Sequence, residues 1–362
     1  MVIFGEKRLE KEVRKEYNTL GDVIMIMITI NDIALALNLS TATVSNALSG
    51  KGRVSEANRR AIIDKAKEMG YDFGRLRVTP QRKIFAVFTE SLAVPFCFKI
   101  AEGVSRAAEY ADFRAVLYNL DLLYESDDYN PPKERVREKM EDILRHMESG
   151  ICGAVYISQY PRDVTGVVPV APFPTVYAYC YTNDGAPSVN TDDQQGAYIA
   201  VQQLISLHKK RIAMISGPIN SIPMTKRLSG YQRALIDAGL PVDLRMVVTG
   251  DWDIGRSCER MTKLLQLDPR PDGVFCQSDH IALGVCKAIR QAGLSIPGDI
   301  AVVGFDNYDF ASFVSPSLTT IDQPLEQIGR VAFSQLKKMT DREAIETRNI
   351  LLDARLIKRE SA

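Results

Sequence analysis

The chain of 362 residues carries 45 Lys+Arg against 45 Asp+Glu, a formal net charge of +0. It is therefore no uniformly basic nucleic-acid coat, and any basic surface must be local. At 46% apolar content it has ample material for a core and length for two or three domains, which excludes disorder as the dominant state.

No apolar run approaches the roughly eighteen residues of a membrane span, and residues 1–15 lack the apolar stretch and small-residue cleavage site of a secretion signal. The chain is thus expected in the cytoplasm. Its cysteines (Cys97, Cys152, Cys180, Cys258, Cys276, Cys286) lie far apart without a C-x-x-C pair, several of them inside apolar runs, as suits reduced core thiols.

In chain order, the first informative segment runs from Met27 to about Arg77 and predicts three short helices with little loop between them. The first covers 29–37, capped by Thr29 or Asn31 and closed at Asn38, a residue that tolerates the left-handed conformation. Ser40 caps the second, 41–48, which buries Val44, Ala47 and Leu48 and turns Thr41, Ala42, Ser45 and Asn46 outward. After the loop 49–53, a Ser55 cap with Val54 as staple opens a third helix that Gly70 stops. Two helices joined by a tight turn and backed by a third make a helix-turn-helix. Between Met27 and Lys83 there are ten Lys/Arg and five Asp/Glu, a local positive excess suited to a phosphate backbone or to a solvated helix face.

From Lys83 the texture changes. Apolar runs at 84–88, 115–118, 153–157, 175–179, 212–215, 273–276 and 300–305 alternate with helical patterns near 97–111, 132–149, 194–208, 226–238, 254–267, 280–293 and 325–339, two of them stopped by Gly239 and Gly293. Near-continuous apolar strands alternating with helices predict a doubly wound parallel α/β fold. A region of this size exceeds one ordinary core, and the prolines at 169, 172, 174 and 187 interrupt its middle, so it divides into two lobes. Residues 1–26 fit neither part, and the methionines at 25 and 27 just before the first cap suggest a start placed too far upstream.

The string Thr29-Ile30-Asn31-Asp32-Ile33-Ala34, then Leu39-Ser40-Thr41-Ala42-Thr43-Val44-Ser45, Val54-Ser55 and Met69-Gly70-Tyr71, resembles the N-terminal signature of the lactose-repressor (LacI/GalR) family of transcriptional regulators. The resemblance continues through Val189-Asn190-Thr191-Asp192, Arg227-Leu228-Ser229-Gly230-Tyr231, Gly250-Asp251-Trp252, Ser278-Asp279-His280, Val303-Gly304-Phe305-Asp306-Asn307 and Leu318-Thr319-Thr320-Ile321-Asp322-Gln323-Pro324. It implies a small all-α helix-turn-helix headpiece followed by a two-lobed effector domain of the type I periplasmic-binding-protein fold. The implied organisation is an extension over 1–26, a DNA-binding domain over 27–71, a hinge over 72–83 and an effector-binding and dimerisation domain over 84–362. Within the last, lobe one takes 84–187 and 324–345, and lobe two takes 188–323 and the C-terminal tail.

The resemblance also implies roles. The second helix enters the major groove, with Thr41, Ala42 and Asn46 at base-reading positions, and Thr43, Ser45 and Ser49 nearer the phosphates with Thr29, Ser40 and Arg53 at the edges of the motif. Asn46 replaces the arginine usual there, and asparagine pairs with adenine where arginine pairs with guanine. In the hinge, Leu76 stands where a minor-groove wedge is expected, flanked by Arg75 and Arg77. Gly74 and the β-branched Val78-Thr79 before Pro80 are poor helix material, so the hinge helix stays an open expectation. For the effector the resemblance points to Phe96 on lobe one, Arg227 and Asp306 as ligand hydrogen-bonding groups, and Ser278 and Gln323. Trp252 is either a sugar-stacking face or packing, and Asp279 is a helix cap before it is a contact.

No G-x-G-x-x-G, G-x-x-x-x-G-K-[ST], H-E-x-x-H or G-x-S-x-G motif occurs and the histidines are scattered, so an enzyme is not expected and no cofactor is implied. The expected partners are double-stranded operator DNA, a small carbohydrate-like effector and a second copy of the chain. The alternatives are a solute-binding-protein-like sensor and a regulator driven by a partner protein.

Overall fold

The computed structural model describes residues 28–49, 52, 54–71, 83–122, 133–147 and 150–362. The extension and the hinge segment 72–82, with Arg75, Leu76 and Arg77, lie outside the described residues, as does Arg53. The chain divides into two compact units, 1–82 and 83–362.

In the first unit, α1 (Ile30–Leu37), α2 (Thr41–Ser49) and α3 (Glu56–Glu68) close over one small core of Ile33, Ala34, Val44, Ala47, Leu48, Ile62 and Ala66. These are the apolar positions that fall three and four residues apart, so each helix offers one stripe and the stripes meet. The expected caps form. Thr29 makes a capping box with Asp32, Asn38 takes φ 52 at the end of α1, and Ser55 accepts the Asn58 N–H.

In the second unit, β1 (Ile84–Thr89), α4 (Pro95–Tyr110), β2 (Arg114–Asn119), α5 (Lys133–His146), β3 (Ile151–Ile157), β4 (Thr175–Ala178) and β5 (Ser188–Thr191) come first. Next are α6 (Asp193–Ser206), β6 (Ile212–Ile215), α7 (Ile222–Asp237), β7 (Val247–Val248), α8 (Ile254–Leu264), β8 (Gly273–Cys276), α9 (Asp279–Gln291) and β9 (Ala301–Val303). β10 (Thr320–Asp322), α10 (Leu325–Thr340), β11 (Asn349–Leu352) and β12 (Arg355–Ile357) complete it. Lobe one is built on a parallel sheet in the order β11-β5-β4-β3-β1-β2 and lobe two on a parallel sheet β7-β6-β8-β9. The helices cover both faces of these sheets, which is why β8 is buried throughout and β1 is buried from Phe85 on.

The chain passes between the lobes three times, at β5 to α6, at β10 to α10 and at β11 to β12, with β10 and β12 paired antiparallel. β5 and β11 both belong to the first sheet, so lobe one reaches beyond the 187 and 345 assigned from sequence. Residues 188–191 form no apolar run, and what makes them a strand is pairing with β4 on one side and β11 on the other.

Candidate functional site

On α2, Ser40 Oγ accepts the Thr43 N–H at 3.1 Å, which starts the helix at Thr41. Thr41, Ala42 and Asn46 are exposed, while Thr43, Ser45 and Ser49 are half-buried. Burial of Val44, Ala47 and Leu48 fixes which way this face points. Two hydroxyls are already engaged: Ser49 Oγ donates to the Ser45 carbonyl at 2.6 Å, and Thr29 Oγ1 donates to the Asp32 carboxylate at 2.7 Å. A contact the sequence reading missed is Arg59 of α3, whose guanidinium donates to the Ala47 carbonyl at 2.7 Å and ties the back of α2 to its support.

In the second unit, three of the expected effector residues meet at the boundary between the lobes. Arg227, 3% exposed, donates to Asp193 Oδ1 at 2.8 Å and to the Gln277 carbonyl, lies 3.8 Å from Asp306 Oδ1 and stacks 3.6 Å from the centre of the Phe305 ring. Burial works against its charge, but the Asp193 and Asp306 carboxylates outweigh that and hold its pKa above the ordinary arginine value. Asp306 accepts from Gln323 Nε2 at 2.8 Å. Gln323 in turn accepts from Tyr179 Oη at 3.2 Å and Thr191 Oγ1 at 2.9 Å. Burial pushes the Asp306 carboxyl up to about 6 against the pull of Arg227. Asp306 and Asn307 take φ 106 and φ 51, a left-handed pair held by Asn307 contacts to Asp322 and Arg359.

Phe96, on the first turn of α4, packs its ring 5.9 Å from Tyr179 and 5.3 Å from Tyr308, so an aromatic contact joins lobe one to the loop after β9 of lobe two. Tyr308 continues the cluster to Phe310 and His280. Trp252 is half-buried against the lobe-two core, its indole so close to Gly217 that an added Cβ there would lie 2.2 Å from the ring.

Ser278, not Asp279, caps α9, accepting the His280 N–H. Asp279 is fully buried and takes hydrogen bonds from Tyr308 N at 2.8 Å and Thr320 Oγ1 at 2.5 Å, pinning the loop that carries Asp306; burial, then Asp306, pushes its carboxyl up to about 8. The reason is geometric: the cap must have extended φ and ψ, which Ser278 takes, whereas Asp279 is already helical.

At the strand ends of lobe one, Glu90 is fully buried and bound by Arg162 Nη1 at 2.9 Å, by Arg162 Nη2, by Tyr156 Oη and by the Gln159 N–H at 2.9 Å. This ion pair was not anticipated. A cavity of 970 Å³ lies beside the Arg227 cluster, lined by Asp193, Tyr181, Tyr198, Lys226, Arg233 and Leu351 among others; it shares Asp193 with the cluster but does not reach Asp306. Among the described residues no group of three His, Cys, Asp or Glu is arranged for a metal, and no helix is long and apolar enough to cross a membrane. All six cysteines are free.

The model for bacterial regulatory proteins of the lacI family matches residues 29–72, and that for the periplasmic binding protein-like domain matches residues 201–362. The chain is 30% identical to the ribose operon repressor of Escherichia coli K12 over 349 residues, 93% of this chain and 100% of that one. It is 29% identical to catabolite control protein A of Priestia megaterium over 340 residues, 92% and 99%. A cellobiose complex of the regulator CelR is similar with TM-score 0.62 and 28% identity, covering 92% of this chain and all of that one. A lac repressor dimer bound to operator and the anti-inducer ONPF matches with TM-score 0.72 at 23% identity, over 93% and 99%, and supports the fold. The headpiece and the two-lobed unit therefore lie in one chain for the same reason as in these relatives: it belongs to the lacI family of DNA-binding transcriptional regulators.

Proposed function

We propose that this regulator is a homodimeric repressor whose operator affinity is set by a neutral, polyhydroxylated ligand bound between the lobes at Arg227, Asp306 and Gln323, with Phe96 and Ser278 beside them. The observation that carries this reading is the buried polar cluster at the lobe boundary. Arg227 and Asp306 converge there with Gln323, which sits at the β10 to α10 crossover. Carboxylate and guanidinium side by side both accept and donate, as adjacent ligand hydroxyls require, and hydrogen bonds to charged groups contribute about 1.5–3 kcal/mol each.

The charge balance argues for a neutral ligand. Arg227 is matched by Asp193 and Asp306, and Arg162 by Glu90, so neither of these two guanidiniums is a spare cation for a phosphate. Two relatives, a ribose operon repressor and a regulator in complex with cellobiose, agree with a carbohydrate. A ligand that bridges the lobes favours one lobe arrangement and can alter DNA affinity only through that difference. On the DNA side, we read the exposed Thr41, Ala42 and Asn46 as base contacts and Thr43 and Ser45 as phosphate contacts.

The test is a thermal-shift panel of sugars, sugar phosphates and nucleosides on the full chain, since a ligand at a hundred times its Kd adds about 2.7 kcal/mol. An uncharged sugar should shift the wild type, and Asp306→Ala should lose the shift while still footprinting an operator. A shift retained in Asp306→Ala moves the ligand elsewhere. Silence across the panel, in a protein that still footprints, favours control by a partner protein.

A further inference from the structure

We propose that Gly52 is a specificity-determining position for DNA recognition: by having no side chain it lies against Asn46 and limits the orientations open to that amide for base readout. The inference rests on the reading of Asn46 as a base-contacting residue. Asn46 is exposed on the outer face of α2, and among the described residues its amide has no hydrogen-bond partner. Nothing polar therefore aims it.

What lies against it is the backbone at Gly52. A Cβ built on Gly52 would stand 3.0 Å from Asn46 Nδ2, 3.1 Å from Cγ and 3.4 Å from Cβ, so the amino side of the Asn46 amide lies beside the place a side chain at 52 would take. Readout of adenine by asparagine needs both the carbonyl and the amino group presented together in the plane of the base. An exposed asparagine free to turn must give up that freedom on binding, whereas one already confined gives up less. Gly52 narrows that freedom before DNA arrives. A Cβ at position 52 would press on the Asn46 side chain from Cβ to Nδ2, and the amide would have to give by a few tenths of an ångström.

The headpiece carries its own control. Gly70 has φ +74 against +75 for Gly52, but an added Cβ at Gly70 meets nothing within 4 Å. Alanine at either position therefore incurs the same left-handed backbone strain, and only at Gly52 does it touch Asn46.

The experiment uses the full chain and an operator selected by the wild type from random DNA. Every operator base pair is substituted in turn, and the ratio of Kd values is measured for wild type, Asn46→Ala, Gly52→Ala, Gly70→Ala and Asn46→Ala/Gly52→Ala. The base pair that Asn46 reads is the one whose discrimination disappears in Asn46→Ala. We expect Gly52→Ala to lose about ten-fold of discrimination at that base pair alone, Gly70→Ala to keep it, and Gly52→Ala to cost nothing further in the Asn46→Ala background. Full discrimination in Gly52→Ala, or a loss spread evenly over all base pairs and additive with Asn46→Ala, overturns the inference.

If Asn46→Ala discriminates as the wild type does, the reading of Asn46 itself is what fails, a distinguishable result. Should Gly52→Ala not fold, an NOE between the Asn46 side-chain amide and Gly52 Hα in the selectively labelled wild-type protein decides: its presence supports the confinement and its absence removes it.

Discussion

Asp306 is held by opposing forces, and its pH behaviour separates its two roles. Burial raises its carboxyl to about 6, from an ordinary value of 3.8, while Arg227 and the Gln323 hydrogen bond pull it down. A carboxyl that holds its proton more tightly when folded contributes stability that is full below 3.8 and lost as pH rises through about 6. Ligand hydroxyls, by contrast, need the ionised form as acceptor. Affinity for the effector should therefore be constant above about pH 7 and fall by up to about ten-fold per pH unit below 6, and Asp306→Asn should bind weakly and without that slope between pH 5 and 8. Calorimetric titration of wild type and variant across this range is the measurement; a flat wild-type profile would mean that Asp306 does not bind as a carboxylate. Arg227, Asp306 and Gln323 could be singled out because each sits in a family motif, and the fold brings them together from within α7, after β9 and just before α10. Asp193 and Glu90 were not, because their partners are 34 and 72 residues away and only the closed fold brings them together. Glu90 did leave one signal, a carboxylate set directly behind the apolar strand β1.

At the scale of elements, the helices of the second unit cross on glycine. An added Cβ on Gly103 of α4 would lie 2.1 Å from the Glu326 carbonyl of α10, and one on Gly329 of α10 would lie 2.1 Å from the Ile100 carbonyl of α4. The contact is reciprocal and backbone against backbone, so no side-chain rotation relieves it. Gly284 of α9 meets the Ile254 carbonyl of α8 at 2.3 Å in the same way. Each such glycine costs helix propensity, about 1 kcal/mol relative to alanine, and the close crossing offsets it. Gly329→Ala should therefore destabilise the protein by about 2–3 kcal/mol as overpacking. Gly293→Ala, at a helix stop with φ +73 and nothing within 4 Å, should cost only the left-handed strain of about 1 kcal/mol. Denaturant midpoints at unchanged slope measure both, and equal losses would mean that the α4–α10 crossing is looser than it stands here. The stops at Gly239 and Gly293 were readable from local pattern, since a helix end depends on its own residues. The crossing glycines were not, and neither were β5, β10, β11 and β12, whose short, mixed sequences become strands only beside partners supplied from elsewhere in the chain.

At the scale of the whole molecule, a two-fold operator calls for two headpieces, and the surface of lobe one offers a place for a second copy. α4 packs on β2, the edge strand of the first sheet, and together they leave Tyr110 96%, Phe98 56% and Leu117 45% exposed. An exposed edge strand and the outward aromatic side chains at the two ends of α4 mark a surface that a second copy could cover. A stable interface needs about 800 Å² from each partner, and charges placed at Phe98 and Tyr110, about 18 Å apart along α4, would be desolvated without partners on both copies at once. On the proposed homodimer, Phe98→Asp/Tyr110→Asp should therefore sediment as a monomer of 40.3 kDa, half the mass expected for the wild type. It should lose at least about a hundred-fold in affinity for the palindromic operator through the lost effective concentration of the second headpiece, and keep both its thermal shift with the effector and its weak binding to a half-site. Ile219→Asp, 72% exposed on lobe two, is the matched control and should remain a dimer. A double variant that stays dimeric and binds the operator unchanged would take this face out of the assembly; one that loses the effector shift as well would show damage to lobe one rather than to an interface.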